Sequence, residues 1–256
     1  HRLDRLSVSY SSEKVFVRFG RQAITWGNGL IFSPMDIVNP FNPSMIDTEY
    51  KTGDDMLYGQ YLLSNGNDIQ VAHVFRDQFQ GLDASFSDTT TAFKYHITSD
   101  ISEFDFVVSR VRGDTNLGFG INRSIGESIF RGDLVLSDTS SGSRIQLVTN
   151  LTHSWMWWGK NVNGSLEYYF NDFGFKEMPN SLGDFEQNKE LLSRIEVGEL
   201  FVLGRHYLAG SLNIEINPLW MGTLNLFSNL SDSSGMLQLL SQNSLSENIE
   251  ILSAFI

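Results

Sequence analysis

Leu117-Gly118-Phe119-Gly120-Ile121-Asn122 sets Leu, Phe and Ile at every second position, with Gly, Gly and Asn between them. Successive side chains on a strand point to opposite faces, so this stretch shows one apolar face and one small or polar face. The pattern recurs on both sides of it. Phe93, Tyr95 and Ile97 oppose Lys94 and His96, and Leu166, Tyr168 and Phe170 oppose Ser165, Glu167 and Tyr169. Helical periodicity is nearly missing, so the chain reads as all-β. Strands are expected near Leu3–Tyr10, Val15–Trp26, Asp54–Leu63, Asp68–Phe75, Thr91–Thr98, Glu103–Arg112, Leu117–Arg123 and Ser128–Leu136. Six more follow near Arg144–Ser154, Val162–Asn171, Leu200–Gly204 continuing into His206–Ile216, Met221–Ser228, Met236–Ser241 and Asn248–Phe255. That makes about fourteen.

A soluble sandwich alternates too, so the connections decide. Ser11-Ser12-Glu13, Asn65-Gly66-Asn67, Ser99-Asp100, Gly126-Glu127 and Gly159-Lys160-Asn161 are tight turns. Most of the joins between them are long: Gly27–Gly53, Arg76–Thr90, Ser137–Ser143 and Asp172 to about Gly198; Gly113-Asp114 is the short exception. Tight turns at one end and long loops at the other describe an up-and-down β-meander closed into an outer-membrane barrel, apolar faces against lipid and polar faces around a wet lumen. A mean hydropathy of −0.15 agrees, because half of each strand meets water. Trp155, Trp157 and Trp158, with Tyr10, Phe16 and Trp220, cluster near tight turns, where an interfacial aromatic girdle would sit. Strand parity places both ends of the chain on the long-loop side. This predicts one further strand before His1 and one after Ile256, about sixteen in all, and His1-Arg2-Leu3-Asp4-Arg5 has no signal-peptide layout.

Composition narrows the classes further. The 256 residues are 41% hydrophobic and 12% aromatic, too apolar for a disordered chain, and they are read as a single domain, 1–256. No apolar run approaches the ~18 residues of a membrane-spanning helix. The absence of cysteine removes disulfides and thiolate chemistry. A net charge of −12 argues against a nucleic-acid partner.

The most distinctive stretch is Gly20-Arg21-Gln22-Ala23-Ile24-Thr25-Trp26-Gly27-Asn28-Gly29, followed by Ser33-Pro34-Met35-Asp36-Ile37-Val38-Asn39-Pro40-Phe41-Asn42-Pro43 and Glu49-Tyr50-Lys51-Thr52-Gly53-Asp54-Asp55. It resembles the G-R-Q-x-I-x-W-G … N-P-x-D-x-x-N-P-F-x-P … G-x-D signature of large porin-like bacterial outer-membrane β-barrels, which include partners of RND-type exporters of lipids or hydrophobic compounds. Ser33 stands where that signature has Asn. The resemblance covers about 35 residues and implies a Gram-negative outer-membrane location and the passage or export of small or lipid-like molecules.

Physically, Asn39-Pro40 and Asn42-Pro43 force the residues before proline out of the helical region and set two tight turns. A segment so rigid and apolar is expected to fold back into the lumen as a constriction or plug. Arg18, Arg21 and Gln22 on the adjoining strand would then face Asp36, Asp47, Glu49 and Asp55, and Trp26 and Asn39 count with them as lumen or constriction residues. It either narrows a passage or packs inside to hold the barrel's shape, its Arg and carboxylate groups satisfying one another.

The residues point away from catalysis. His1, His73, His96, His153 and His206 have no metal-ligand spacing, and no cofactor motif appears. His153 and Ser154 are adjacent, hence on opposite faces, and Asp54-Asp55 has the same defect as a paired-carboxylate site. No catalytic or metal residue is expected. The acidic excess, dense over Asp172–Glu199, reads as solvated loop, as a cation-favouring lumen, or as a rim that binds lipopolysaccharide phosphates through divalent ions. Two functions follow: a porin-like barrel passing small solutes or lipid-like cargo, or a plugged barrel that anchors or sheathes a periplasmic exporter or electron-transfer partner.

Overall fold

The computed structural model describes residues 5–38, 40, 51–75, 89–179, 181–246 and 249–255. Fourteen strands form one sheet: β1 (Leu6–Ser11), β2 (Val15–Gln22), β3 (Asp54–Leu62), β4 (Asp68–Val74), β5 (Thr90–Thr98), β6 (Ser102–Val111), β7 (Asp114–Ile125), β8 (Ser128–Thr139), β9 (Gly142–Trp157), β10 (Lys160–Asn171), β11 (His206–Asn217), β12 (Trp220–Asn229), β13 (Gly235–Ser246) and β14 (Ile249–Phe255). Each pairs antiparallel with the next in chain order, the up-and-down meander read from the sequence. The sheet bends around residues 26–38, which touch the inner faces of β4 through β6 on one side and of β8 through β11 on the other. The architecture is that of an outer-membrane barrel wall. β1 and β14 are its end strands, with no pairing between them among the described residues.

The two faces separate as the alternation requires. Phe93, Phe106, Leu117 and Leu166 are exposed on the outside, Leu166 by 56%, whereas Ala92, Val107 and Ala209 are buried inside. In water this much exposed apolar surface would drive association; against hydrocarbon it is the stable arrangement. Tyr10, Trp157, Trp158 and Trp220 are exposed near the turn end, and the Trp157 and Trp158 rings stack at 4.9 Å. Phe16 departs from that girdle. It packs edge-on against Tyr58 at 6.1 Å under the Arg18 guanidinium, on the opposite face of β2 from exposed Phe19.

Three segments differ from the sequence reading. Ser137–Ser143 is no long loop: β8 and β9 stay paired to Thr139↔Gly142, with Gly142 at φ +116° in the turn. Beyond the hydrocarbon band both faces meet water, so a strand runs on without the apolar alternation that reveals it. Leu200–Gly204 forms no strand of the sheet. Its contribution is a parallel bridge from Gly204 to Phe175, and Leu200 is buried with Phe173 and Leu191. The join before it holds two short helices, α1 (Leu182–Phe185) and α2 (Lys189–Glu196); Asn188 caps α2, its side-chain oxygen accepting the Leu191 N–H at 3.2 Å.

Candidate functional site

The chain leaves β2 and turns inward at Gly27, whose φ of +98° suits glycine. A Cβ there would lie 2.9 Å from an Asp133 carboxylate oxygen and 3.0 Å from Met35 Cβ. Once inside, residues 28–32 have no strand partner for their backbone N–H groups, and an unpaired buried N–H is costly. Two wall carboxylates supply the acceptors. Asp133 on β8 accepts the Asn28 backbone N–H at 2.6 Å and its side-chain amide at 2.8 Å. Glu167 on β10 accepts three successive backbone N–H groups, from Leu30 at 2.6 Å, Ile31 at 3.1 Å and Phe32 at 2.8 Å. Asn150 on β9 ties the two sites together, donating to Asn28 O and to Glu167, both at 3.1 Å. Asp133 and Glu167 are each 1% exposed, so hydrogen bonds to the segment stand in for the water their carboxyl groups have lost.

Side-chain packing adds to these hydrogen bonds. Met35, 1% exposed, sits among Trp26, Ala72, Ala92, Val107 and Val135. Phe32 stacks on Tyr169 at 4.6 Å with rings 8° from parallel, and Tyr207 lies 5.5 Å away. Trp26 donates its indole N–H to Gln70 at 2.9 Å and carries the Lys94 ammonium 5.4 Å above its ring. Lys94 and His96 both approach Asp105, at 3.5 Å and 2.8 Å. The small inner face of β7 now has a reason: a Cβ on Gly118 would meet Met35 at 3.4 Å, and one on Gly120 would meet the Asn28 amide at 2.7 Å.

The segment's far end is fastened by Asp36 and Lys51, whose ammonium contacts both carboxylate oxygens at 2.6 and 2.7 Å and donates to Ile24 O at 2.6 Å. Burial pushes the Asp36 carboxyl up to about 7 even though Lys51 pulls it down, and burial lowers the Lys51 ammonium against the pull of Asp36. Above this anchor, at the loop end, the 172–205 excursion covers the mouth. Arg194 of α2 pairs with Asp114, Glu190 and Glu199 and lies 4.1 Å over the Phe173 ring, while Arg112 reaches Glu199 at 2.9 Å and Arg144 reaches Glu190 at 3.1 Å. A cavity of about 80 Å³ remains between cap and segment, bordered by Phe32, Pro34, Asp36, Tyr169 and Leu200.

Of the residues singled out in the sequence, Trp26 and Asp36 are buried inside the wall. Gln22 is buried and donates to Arg18 O at 3.1 Å and Met56 O at 3.2 Å. Arg21 and Asp55 do pair, at 2.6 Å, but across the β2–β3 register on the side of exposed Leu57 and Phe19, away from Asp36. Arg18 covers Phe16, and Asp36 binds Lys51. Asn39, Asp47 and Glu49 fall outside the described residues. Sequence reasoning missed Asp133, Asn150, Glu167 and Lys51. The available signal was a carboxylate flanked by apolar residues in mid-strand, Glu167 between Leu166 and Tyr168. His153 offers its Nδ1 to Ser128 at 2.9 Å, a partner from the neighbouring strand, whereas Ser154 lies on the other face. Among the described residues no group of three or more His, Asp or Glu is placed to hold a metal ion.

No protein-family model and no curated protein matches the sequence. Two solved structures are similar in fold. One is Wzi, an outer-membrane protein involved in group 1 capsule assembly in Escherichia coli and a carbohydrate-binding β-barrel: 10% identity over all of this chain and 67% of Wzi, with a TM-score of 0.62. The other is Pseudomonas putida OprB, in a high-pH structure: 10% identity over 97% of this chain and 71% of OprB, with a TM-score of 0.50. At this identity the likeness is one of fold: an outer-membrane β-barrel.

Proposed function

We propose that this chain is a plugged barrel of the bacterial outer membrane that acts by binding at its mouths, in surface assembly or anchoring, rather than by conducting solute. The observation that carries this reading is the Trp26–Val38 segment tied to Asp133 and Glu167. A constriction that narrows a pore leaves a wet path beside it and keeps charged groups facing that path. Here both carboxylates are buried and turned onto the segment's own backbone, and Met35 and Phe32 pack against the inner wall. The resemblance in fold to Wzi, a capsule-assembly barrel, supports the same side.

The competing reading, passage or export of a small or lipid-like cargo, requires the segment to leave its seat. That breaks at least five hydrogen bonds to two carboxylates that would then face the lumen. Planar-bilayer recording separates the two. The intact protein is expected to give no discrete steps, and a variant with residues 27–38 replaced by a Gly-Ser linker is expected to give them. Steady open-channel currents from the intact protein would overturn the plugged reading.

A further inference from the structure

Below the plug, toward the turn end, the inner wall changes character. The rank of inward residues holding the segment includes Asn150, Glu167 and Ala209. One rank down, cross-strand pairing aligns Thr152, Ser165, Ser211, Asn225 and Gln238 across β9 to β13. The next rank aligns Ser154, Asn163, Asn213 and Thr223. Every member of both ladders is a hydroxyl or a carboxamide. They are already oriented by one another: Asn163 donates to Ser154 at 2.8 Å, Thr223 to Asn213 at 2.7 Å, and Asn225 to Gln238 at 2.9 Å. Gln238 is 3% exposed, and its amide nitrogen is buried without a hydrogen-bond partner.

The second ladder opens into a cavity of about 610 Å³. Ser154, Asn163 and Asn213 line it together with Met156 and Met221, and Asn161 donates to the Glu215 carboxylate within it at 2.7 Å. Neither lysine nor arginine lines it; Arg131 touches the upper ladder at Thr152, 3.2 Å away. Three ligand classes can be weighed against this lining. An anion would meet Glu127 and Glu215 and find no cation in the cavity. A purely apolar ligand would strip water from the amides and hydroxyls and return no hydrogen bonds. An uncharged polyhydroxylated ligand is matched on both counts, because each hydroxyl both donates and accepts, as do the paired amides and hydroxyls of the wall, while the two methionines meet its C–H faces.

The geometry points to a binding site for a neutral oligosaccharide in the turn-end vestibule, seated on the Ser154–Asn163–Asn213–Thr223 ladder. It deepens the reading of a plugged barrel that binds at its mouths, and its test is separate from the conductance test. The full chain in detergent is titrated calorimetrically with maltoheptaose, with neutral galactan and mannan oligomers, and with oligogalacturonate. Saturable binding of a neutral oligomer and none of oligogalacturonate is expected. N163L/N213L should weaken that binding about tenfold, the loss expected on removing a pair of ligand hydrogen bonds, while N213Q keeps most of it. Unchanged electrophoretic heat-modifiability shows that each variant folds. Preference for the anionic oligomer, no heat with any neutral oligomer, or equal binding by N163L/N213L would overturn the site. Silent bilayers with no sugar binding would overturn the site alone; channel currents with sugar binding would overturn the plug alone.

Discussion

Glu167 and Phe32 lie 135 residues apart in sequence, yet the Glu167 carboxylate accepts the Phe32 backbone N–H at 2.8 Å in the interior of the barrel wall. With the Leu30 and Ile31 N–H groups on the same carboxylate, a strand side chain does for an irregular segment what a neighbouring strand would otherwise do. The contact sets the shape of the segment and where it sits.

Replacing Glu167 should therefore loosen the inward segment from the wall. Glu167→Gln keeps the volume but offers one acceptor oxygen and an amide that cannot accept, leaving buried N–H groups unmet. A loss of ~3 kcal/mol is expected, measured as a lowered urea midpoint in detergent. The strands should survive, because the β9–β10 and β10–β11 ladders do not use this side chain. Current steps should appear in bilayers; a silent variant of unchanged stability would show that the three N–H bonds do not hold the segment.

Lys51→Met removes the partner of a carboxylate that stays buried, at an expected cost of ~3–5 kcal/mol near neutral pH. Asp36, whose pKa already stands at about 7, is then pushed higher still. An acid group raised in the folded state favours folding below its ordinary value of 3.8 and loses that contribution as pH rises through the folded value. The variant should thus gain stability on acidification toward 3.8 and lose it progressively as pH rises from there to the folded value, levelling off beyond it. The double variant Asp36→Leu/Lys51→Met should be more stable at neutral pH than Lys51→Met alone, shown by a double-mutant cycle in urea melts.

Gly120→Ala tests the room made for the segment. The added methyl would fall 2.7 Å from the Asn28 amide and 2.9 Å from Asp133 Oδ1, both already committed to each other. A loss of ~1–3 kcal/mol is expected, with a leak in bilayers. Gly126→Ala is not a matched control because of its φ of +60°, whereas Gly59 has extended φ and nothing within 4 Å, so Gly59→Ala should change neither measurement.

Arg194→Ala should loosen the cap without opening the barrel. It removes the pairings to Asp114, Glu190 and Glu199 and the stacking on Phe173. Limited proteolysis within 176–199 should accelerate about tenfold while heat-modifiability is unchanged, because the backbone of α2 lends no hydrogen bond to the strand ladders. Equal digestion rates would mean that these ion pairs do not close the mouth.

Much of the wall was legible because its signal is local. Phe93, Tyr95 and Ile97 alternate with Lys94 and His96 whatever lies beside them, and Asn65-Gly66-Asn67 turns by its own backbone preferences. The inward course of residues 26–38 was also expected, from proline-set turns and apolar content. Its fastening was not: Asp36 binds Lys51, and Arg18 covers Phe16. Leu200–Gly204 misled for a related reason: an apolar run is alike whether it pairs in a sheet or packs beneath a short helix.

Periodicity, then, was enough to predict about fourteen strands with one apolar face, since that depends on residues two apart along one chain, and the alternation of turns and loops gave their up-and-down order. Which carboxylates hold the plug, why Gly118 and Gly120 are small, and which hydroxyls and amides line up across β9 to β13 depend on register between distant strands. Turns set the register of each hairpin, but which side chains meet across several strands and the inward segment follows only from all the pairings together.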